Sequence, residues 1–490
     1  MPNFQPVTPD ILTQLAAIVG PDGLSTTIAE RQLRAKDQSY QPPSLAEVVV
    51  WPQTAEQVSA ILQLANAHCV PVTPWGVGTS LEGNPVPLYG GISLSTERMN
   101  RLIAVHADDF QVTVQPGLPY KDLNQRLAPH GLFFPPDPGA NATIGGMLAN
   151  NAAGIRTVRY GASKDNTLRM QVALADGRLI HVGSRSIKQS AGYDLLHLFI
   201  GSEGTLGVIT EATLKLTPVP SLMSAVVAGF TTVAAAVATV VAVRGSGVGV
   251  AALELIDAAH ARMLSQEPGV DLGEQPTLFM ELHATHPETL QAELEMVREI
   301  CEELGAVTFR STTDNAQRLS LWHARHAAFE IAVRNHPGQR WLVMDVAVPI
   351  SAYPSLVAHS EGALLEFGAI GYLIGHAGDG NLHLILPFAD EAGYARAMQV
   401  NESIVYQAIA LGGTATGEHG VGVGKAKFMP REHGPALDVM RTIKQTLDPN
   451  GILNPGKIFP LGASLSQSAC QLSAQSAERA DSQPDPKLET

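Results

Sequence analysis

Apolar residues in this chain fall into short runs separated by polar turns, with a strand-like period alternating with a helical one. Glu47–Trp51 is a compact apolar run that Pro52 stops, and Thr54-Ala55-Glu56-Gln57 has the form of a capping box. The helix it opens should bury Val58, Ile61, Leu62 and Ala65 on one face. Further strands are predicted over 70–73, 91–94, 102–105, 111–115 and 206–216, with a hairpin over 170–182 around Asp176-Gly177. Pro218 and Pro220 then mark a boundary.

The second half has its own rhythm. It reads as strand 225–230, helix 233–243, strands 250–256 and 277–284, helix 287–304 and strand 306–310. That is the β-α-β-β-α-β order of a ferredoxin-like split unit. A similar order begins again at Trp341–Val348, with a helix, a hairpin over 370–387 and a helix near 391–411. Ser224–Val243 is uncharged for about the length of a bilayer span, but its Ala, Val and Thr content fits a strand, a Thr231 or Thr232 cap and an Ala-rich helix better. The expected organisation is an N-terminal helical segment (1–41), a nucleotide-type domain (42–220), a cap domain (221–425), a helical segment returning to the first domain (426–461) and a disordered tail (462–490).

Composition narrows the function classes. The 490 residues are 45% hydrophobic and 16% charged, which excludes a disordered chain or a coiled coil. A formal charge of −14 with no basic run argues against nucleic acid as partner. Cys69, Cys301 and Cys470 are far apart and without a C-x-x-C, so no disulfide framework or thiolate metal site is expected. The N-terminal residues carry neither a basic region nor an apolar one, so no secretory signal is read. A cytoplasmic location is expected, with peripheral contact at the inner face of a membrane and a homodimer both compatible with it.

Three glycine-rich loops carry the first candidate chemistry. Pro74-Trp75-Gly76-Val77-Gly78-Thr79-Ser80, continuing to Gly83 and Asn84, follows a short strand and can bring backbone N–H groups onto a diphosphate. It is not the G-x-G-x-x-G of a dinucleotide fold, and an ordinary surface turn is the alternative. The second loop runs from Pro135 through Pro138, Gly139, Thr143, Gly145, Gly146, Asn150 and Ala153 to Gly154. It joins a stiff proline entry to small residues that let a flat ring system approach the backbone. The third contains Gly201, Ser202, Glu203, Gly204, Gly207, Val208 and Ile209. Gly420–Lys425 is superficially P-loop-like, but it is one residue short and Ala426 replaces the required hydroxyl.

These loops resemble those of the FAD-binding fold shared by vanillyl-alcohol oxidase and p-cresol methylhydroxylase. The resemblance implies an α+β protein: an FAD-binding domain of that type plus a ferredoxin-like substrate domain. It also implies that the first loop holds the pyrophosphate and the other two line the adenosine and isoalloxazine regions. No histidine stands where a covalent flavin link is expected, so FAD should be non-covalent.

The second half offers a polar constellation. His376-Ala377-Gly378-Asp379-Gly380-Asn381-Leu382-His383 reads as a hairpin turn with an imidazole at each end, and Gly417-Glu418-His419-Gly420 follows later. His376, His383 and Glu418 make a three-ligand set for a divalent ion that keeps positions open. The alternative is that they only stabilise a turn. These two segments resemble the signature of FAD-linked D-2-hydroxy-acid dehydrogenases, the group of D-lactate dehydrogenase, the glycolate oxidase flavin subunit and D-2-hydroxyglutarate dehydrogenase.

The resemblance implies zinc on His376, His383 and Glu418, His419 as the base, and Asn381 beside the substrate. It implies Arg325 on the substrate carboxylate and, from Leu453-Asn454-Pro455-Gly456-Lys457, Asn454 near the flavin. A quinone, a cytochrome c or another flavoprotein would take the electrons. Hydroxyglutarate-specific relatives use a lysine where Val343 stands here, so a small monocarboxylate such as lactate or glycolate is expected. A metal-dependent hydrolase and a non-catalytic FAD-binding subunit are the rival classes.

Overall fold

The structure is a computed structural model describing residues 4–267, 270 and 272–460, and the tail expected to be disordered lies outside them. In the first half, Val48–Val50, Ile92–Ser95 and Val72–Trp75 form a parallel sheet with Ile92–Ser95 in the middle. Leu24–Ser25 pairs antiparallel with Val48–Val50, so the N-terminal segment, expected to be helical, also supplies a strand. The Thr54 hydroxyl accepts from Gln57 N at 3.3 Å and the Gln57 side chain accepts from Gln53 N, which starts the Ala55–Ala67 helix. Its buried residues are Val58, Ile61, Leu62 and Ala65.

The following strand starts two residues later than the apolar run suggests. Val70 N still closes the helix by donating to Ala65 O at 2.9 Å, and Cys69 turns the chain at φ 52°. Cys301 is a buried free thiol. The second sheet of this half is antiparallel, in the order Leu102–His106, Gln111–Val114, Val208–Lys215, Thr167–Ala173, Leu179–Gly183. Its last pair is the hairpin predicted around Asp176-Gly177.

The uncharged stretch divides as its composition predicts. Leu222–Phe230 is a strand, the Thr232 hydroxyl accepts from Ala235 N, and Val233–Gly245 is a helix. No helix among the described residues is long and apolar enough to cross a membrane.

One seven-stranded antiparallel sheet organises the second half. Its order is Ala306–Thr312, Leu222–Phe230, Thr277–Ala284, Val250–Ile256, Tyr372–Gly375, Asn381–Phe388, Arg340–Ala347. The first four strands have the 4-1-3-2 order of a ferredoxin-like unit. The last three repeat it in reverse order, and the two passes meet through Leu255↔Gly375 and Ile256↔Ile374. Among the described residues the second pass has no fourth strand. A lone bridge stands there, with Thr414 N donating to Ala347 O at 2.8 Å.

Alternation along the strands decides which residues reach the site. Leu253, Leu255, Met344 and Val346 belong to the core shared with the helices Val233–Gly245, Tyr353–Phe367 and Glu391–Ala410. Glu254, Val343 and Asp345 therefore point to the other face, toward the first half. Beyond residue 425 the chain returns there. Lys444 Nζ donates to the carbonyls of Thr205 and Leu453, and Leu453 bridges Val72.

Candidate active site

A cavity of about 690 Å³ lies between the three glycine loops and the open face of the large sheet. Its wall includes the predicted Pro74, Trp75, Gly76, Val77, Gly78, Thr79, Ser80 and Asn84 of the first loop. The second loop contributes Pro138, Gly139, Thr143, Gly145, Gly146 and Asn150. Glu203, Gly207, Val208, Ile209 and Asn454 complete that half. Gly83, Ala153 and Gly154 are not part of the wall. Gly83 N donates to Asp37 at 2.8 Å, and Gly154 has φ +147° where a Cβ would come within 2.4 Å of Asp137 O.

Glycine in the first loop has a packing reason. A Cβ on Gly76 would sit 2.6 Å from Thr143 Oγ1, so two glycine loops touch there. Gly78, at φ +69°, would press a Cβ to 2.4 Å from the Trp75 ring. The amides of Gly76, Val77, Gly78 and Thr79 donate to no acceptor among the described residues, so they are free to meet an anionic ligand. Asp37 braces this loop through Gly83 N and Ser80 Oγ, a role for the N-terminal segment that its sequence did not suggest.

The metal-type cluster sits at the cap end. His376 Nε2 and His383 Nε2 each lie 3.3 Å from Glu418 Oε1, and one ligand atom from each of the three residues falls within 4.8 Å of the others. Glu418 Oε2 is buried without a hydrogen-bond partner. Two imidazoles and a carboxylate with an unmet acceptor fit a divalent ion with open coordination positions. His419 lies alongside, stacked on His383 at 5.1 Å between ring centroids, with its Nδ1 unpartnered. Arg325 lines the same cavity and pairs with Glu254. Asn381 does not line it: its amide donates to Asp345 Oδ1 at 2.6 Å and to Val346 O, behind the cluster.

Two buried carboxylates that the sequence reading passed over hold this arrangement. Asp345 Oδ2 accepts from Thr416 Oγ1 and from the amides of Gly417, Glu418 and His419, all within 3.1 Å. Glu254 accepts from His376 Nδ1 at 2.9 Å. Each stands alone in an apolar strand, V-A-A-L-E-L-I and W-L-V-M-D-V-A, and that isolation was a usable signal.

Mutual charge governs the protonation of the cluster. Burial opposes the charged form of His376, but Glu254 and Glu418 hold its pKa well above the ordinary value. Burial likewise opposes ionised Glu418, yet His376 and His383 hold it well below. Burial pushes His419 down to about 4 against the opposing pull of Asp345.

The loop bearing Glu418 and His419 is fastened to the glycine loops. Glu203, at φ 53°, accepts from Val421 N at 2.6 Å, Gly422 N at 2.9 Å and Asn84 Nδ2 at 2.7 Å. The glycine loops and the ligand cluster therefore face one cavity.

Comparison with known proteins agrees with this geometry. A family model described as "FAD binding domain" matches residues 46–183, and "FAD linked oxidases, C-terminal domain" matches residues 219–458. "Probable D-lactate dehydrogenase, mitochondrial" of Danio rerio is 37% identical over 92% of this chain and 92% of its own length. "D-lactate dehydrogenase [cytochrome], mitochondrial" of Arabidopsis thaliana is 38% identical over 94% of this chain and 81% of its own. "Glycolate oxidase subunit GlcD" of Bacillus subtilis is 33% identical over 92% and 97%.

Among solved structures, p-cresol methylhydroxylase with substrate bound matches with a TM-score of 0.75 at 17% identity, covering 93% of this chain and 97% of that one. Alkyldihydroxyacetonephosphate synthase matches at 0.74 and 20% identity, covering 93% and 88%. These two likenesses concern the fold alone, and the expected fold is borne out. With a third or more of its residues shared over nearly its whole length with such relatives, the chain belongs to the FAD-linked oxidases, in the branch of the D-lactate dehydrogenases and glycolate oxidase subunits.

Proposed function

We propose that the protein oxidises a small D-2-hydroxy acid, D-lactate to pyruvate first, and passes the electrons to a cytochrome-type acceptor. The observation that carries this reading is the cavity itself: glycine loops at one end, and His376, His383, Glu418, His419 and Arg325 at the other. The names of the relatives support the acid and the acceptor. The D configuration rests on them alone. In this reading residues 42–220 form the FAD domain, 221–425 the substrate domain and 426–461 the returning segment.

The chain's own groups divide the work. Arg325 is the one arginine or lysine among the described residues lining the cavity, so it can pair with one carboxylate. Val343, Ile374 and Ile385 form an apolar wall, and a second carboxylate there would be left unpaired. His419 takes the hydroxyl proton as general base. Asn84 and Asn150 hold the His419 carbonyl and so fix the height of that imidazole in the cavity. The glycine loops would hold FAD, which would supply the acceptor for the hydride equivalent that leaves the α-carbon. A divalent ion held by His376, His383 and Glu418, zinc by resemblance, supplies Lewis acidity that makes the hydroxyl easier to deprotonate.

FAD is taken as non-covalent, because among the described residues no cysteine or tyrosine lines the cavity and its four histidines come from the cap half. A cytoplasmic location with peripheral membrane contact stays part of the proposal, although the zebrafish and Arabidopsis relatives carry mitochondrial names.

A steady-state comparison of D-lactate, L-lactate, glycolate and D-2-hydroxyglutarate with a dye acceptor tests the assignment. D-lactate should give the highest kcat/KM. A dominant glycolate rate would move the protein to the second reading, a glycolate oxidase flavin subunit, which the Bacillus relative favours. A colourless protein without flavin absorbance would leave a metal-dependent hydrolase.

A further inference from the structure

Glu254 lies in the Val250–Ile256 strand with no exposed surface. Leu253 and Leu255 on either side belong to the hydrophobic core. A carboxylate in such a place persists only when it is fully partnered. Both of its oxygens lie 2.9 Å from His376 Nδ1, and Oε2 also accepts from Arg325 Nη2. A carboxylate oxygen accepts and does not donate, so His376 keeps its proton on Nδ1 and directs Nε2 toward Glu418, 3.3 Å away. Arg325 reaches the cavity from the same anchor, with its Nε free of any protein acceptor.

The other histidine is not held in this way. His383 Nδ1 lies 3.5 Å from Asp345 Oδ1 and makes no hydrogen bond, while Asp345 spends its other oxygen on the 416–419 segment. Glu254 is therefore the side chain shared by the ion site and the carboxylate site.

We propose that Glu254 is a positioning residue for both subsites: it orients His376 toward the ion and aims Arg325 at the substrate carboxylate, so that ion affinity and acid affinity are set together. The inference rests on the hydroxy-acid reading above. It departs from a picture in which Arg325 and the histidines act separately. Glu254→Gln keeps the shape but removes the charge that both donors share and puts an N–H group where an acceptor oxygen stood, so both contacts weaken.

The test uses the flavin-loaded full chain, stripped with a chelator and titrated with Zn²⁺ by equilibrium dialysis, with KM for D-lactate measured at saturating Zn²⁺. E254Q should bind Zn²⁺ roughly ten- to a hundredfold more weakly, the cost typical of losing a partner behind a metal-bound histidine, and should also raise KM. R325K should raise KM while leaving Zn²⁺ affinity within about twofold of wild type. E254D, which retains the charge, should recover part of the Zn²⁺ affinity.

An E254Q protein with unchanged Zn²⁺ affinity, or with only one of the two constants altered, overturns the inference. Wild-type protein that binds no Zn²⁺ refutes the hydroxy-acid reading instead. An unaltered flavin spectrum separates positioning from misfolding. Should E254Q lose its flavin, E254D is judged by the same two constants.

Discussion

The Asn150 side-chain amide donates to the carbonyl oxygen of His419 at 3.1 Å, across 269 residues of chain. Asn150 ends the Ile144–Asn150 helix of the second glycine loop, and His419 belongs to the ligand loop of the cap. With Glu203 holding Val421 and Gly422, the glycine-loop side of the cavity fixes the position of His419, the base of the proposed reaction. Asn150→Ala should lower kcat for D-lactate by up to about tenfold, the worth of one hydrogen bond, with flavin content retained. Stopped-flow flavin reduction with D-lactate reads this directly, and an unchanged reduction rate counts against the clamp.

In the proposed reading, the cluster of His376, His383 and Glu418 would make activity dependent on an ion. Prolonged incubation with a chelator should abolish D-lactate-dependent dye reduction while leaving the flavin bands in place, and Zn²⁺ or Mn²⁺ should restore it. Glu418→Gln should defeat the restoration. Metal analysis before and after treatment checks the cause.

Val343 faces the cavity from the Arg340–Ala347 strand, within the apolar wall. Val343→Lys should raise kcat/KM for D-2-hydroxyglutarate relative to D-lactate by roughly tenfold or more, because the distal carboxylate gains a partner. Competition kinetics between the two acids gives the ratio.

Acid should weaken the fold through His260. Its Nε2 donates to Ala328 O at 3.0 Å, its Nδ1 has no partner, and burial lowers its pKa to about 4 from an ordinary 6.5. Between these values the unfolded chain binds the proton and the folded chain does not. Stability is therefore fully present above pH 6.5 and falls as pH drops toward 4, by about 1.4 kcal/mol per pH unit from this group. His260→Gln should flatten that part of the profile, measured as urea midpoints across the window.

How much of this was legible along the chain depends on the range of the interaction involved. The 4-1-3-2 unit follows from local alternation, and the strands near 250, 277 and 306 fall where their apolar periods put them. The joining of two such units was not legible, since they pair through Leu255↔Gly375 and Ile256↔Ile374, residues far apart in sequence. The His376–His383 turn and the Glu418 loop could be read because their residues lie close together in sequence. Glu254 and Asp345 could not be paired with their histidines, because each is a single carboxylate in an apolar strand with no motif linking it to a histidine. Asn381 was expected beside the substrate, yet the nearer Asp345 takes its amide.

The sheet edge at Ala347 and Thr414 carries a consequence of its own. Pairing stops there after a single rung, and the residues that would have continued it instead swing out to carry Glu418 and His419. Gly413 and Gly417 keep that segment in place, since a Cβ there would come 2.1 Å from Ala347 O and 2.2 Å from Asn381 Nδ2. The enzyme's working end thus depends on a strand that is kept from forming.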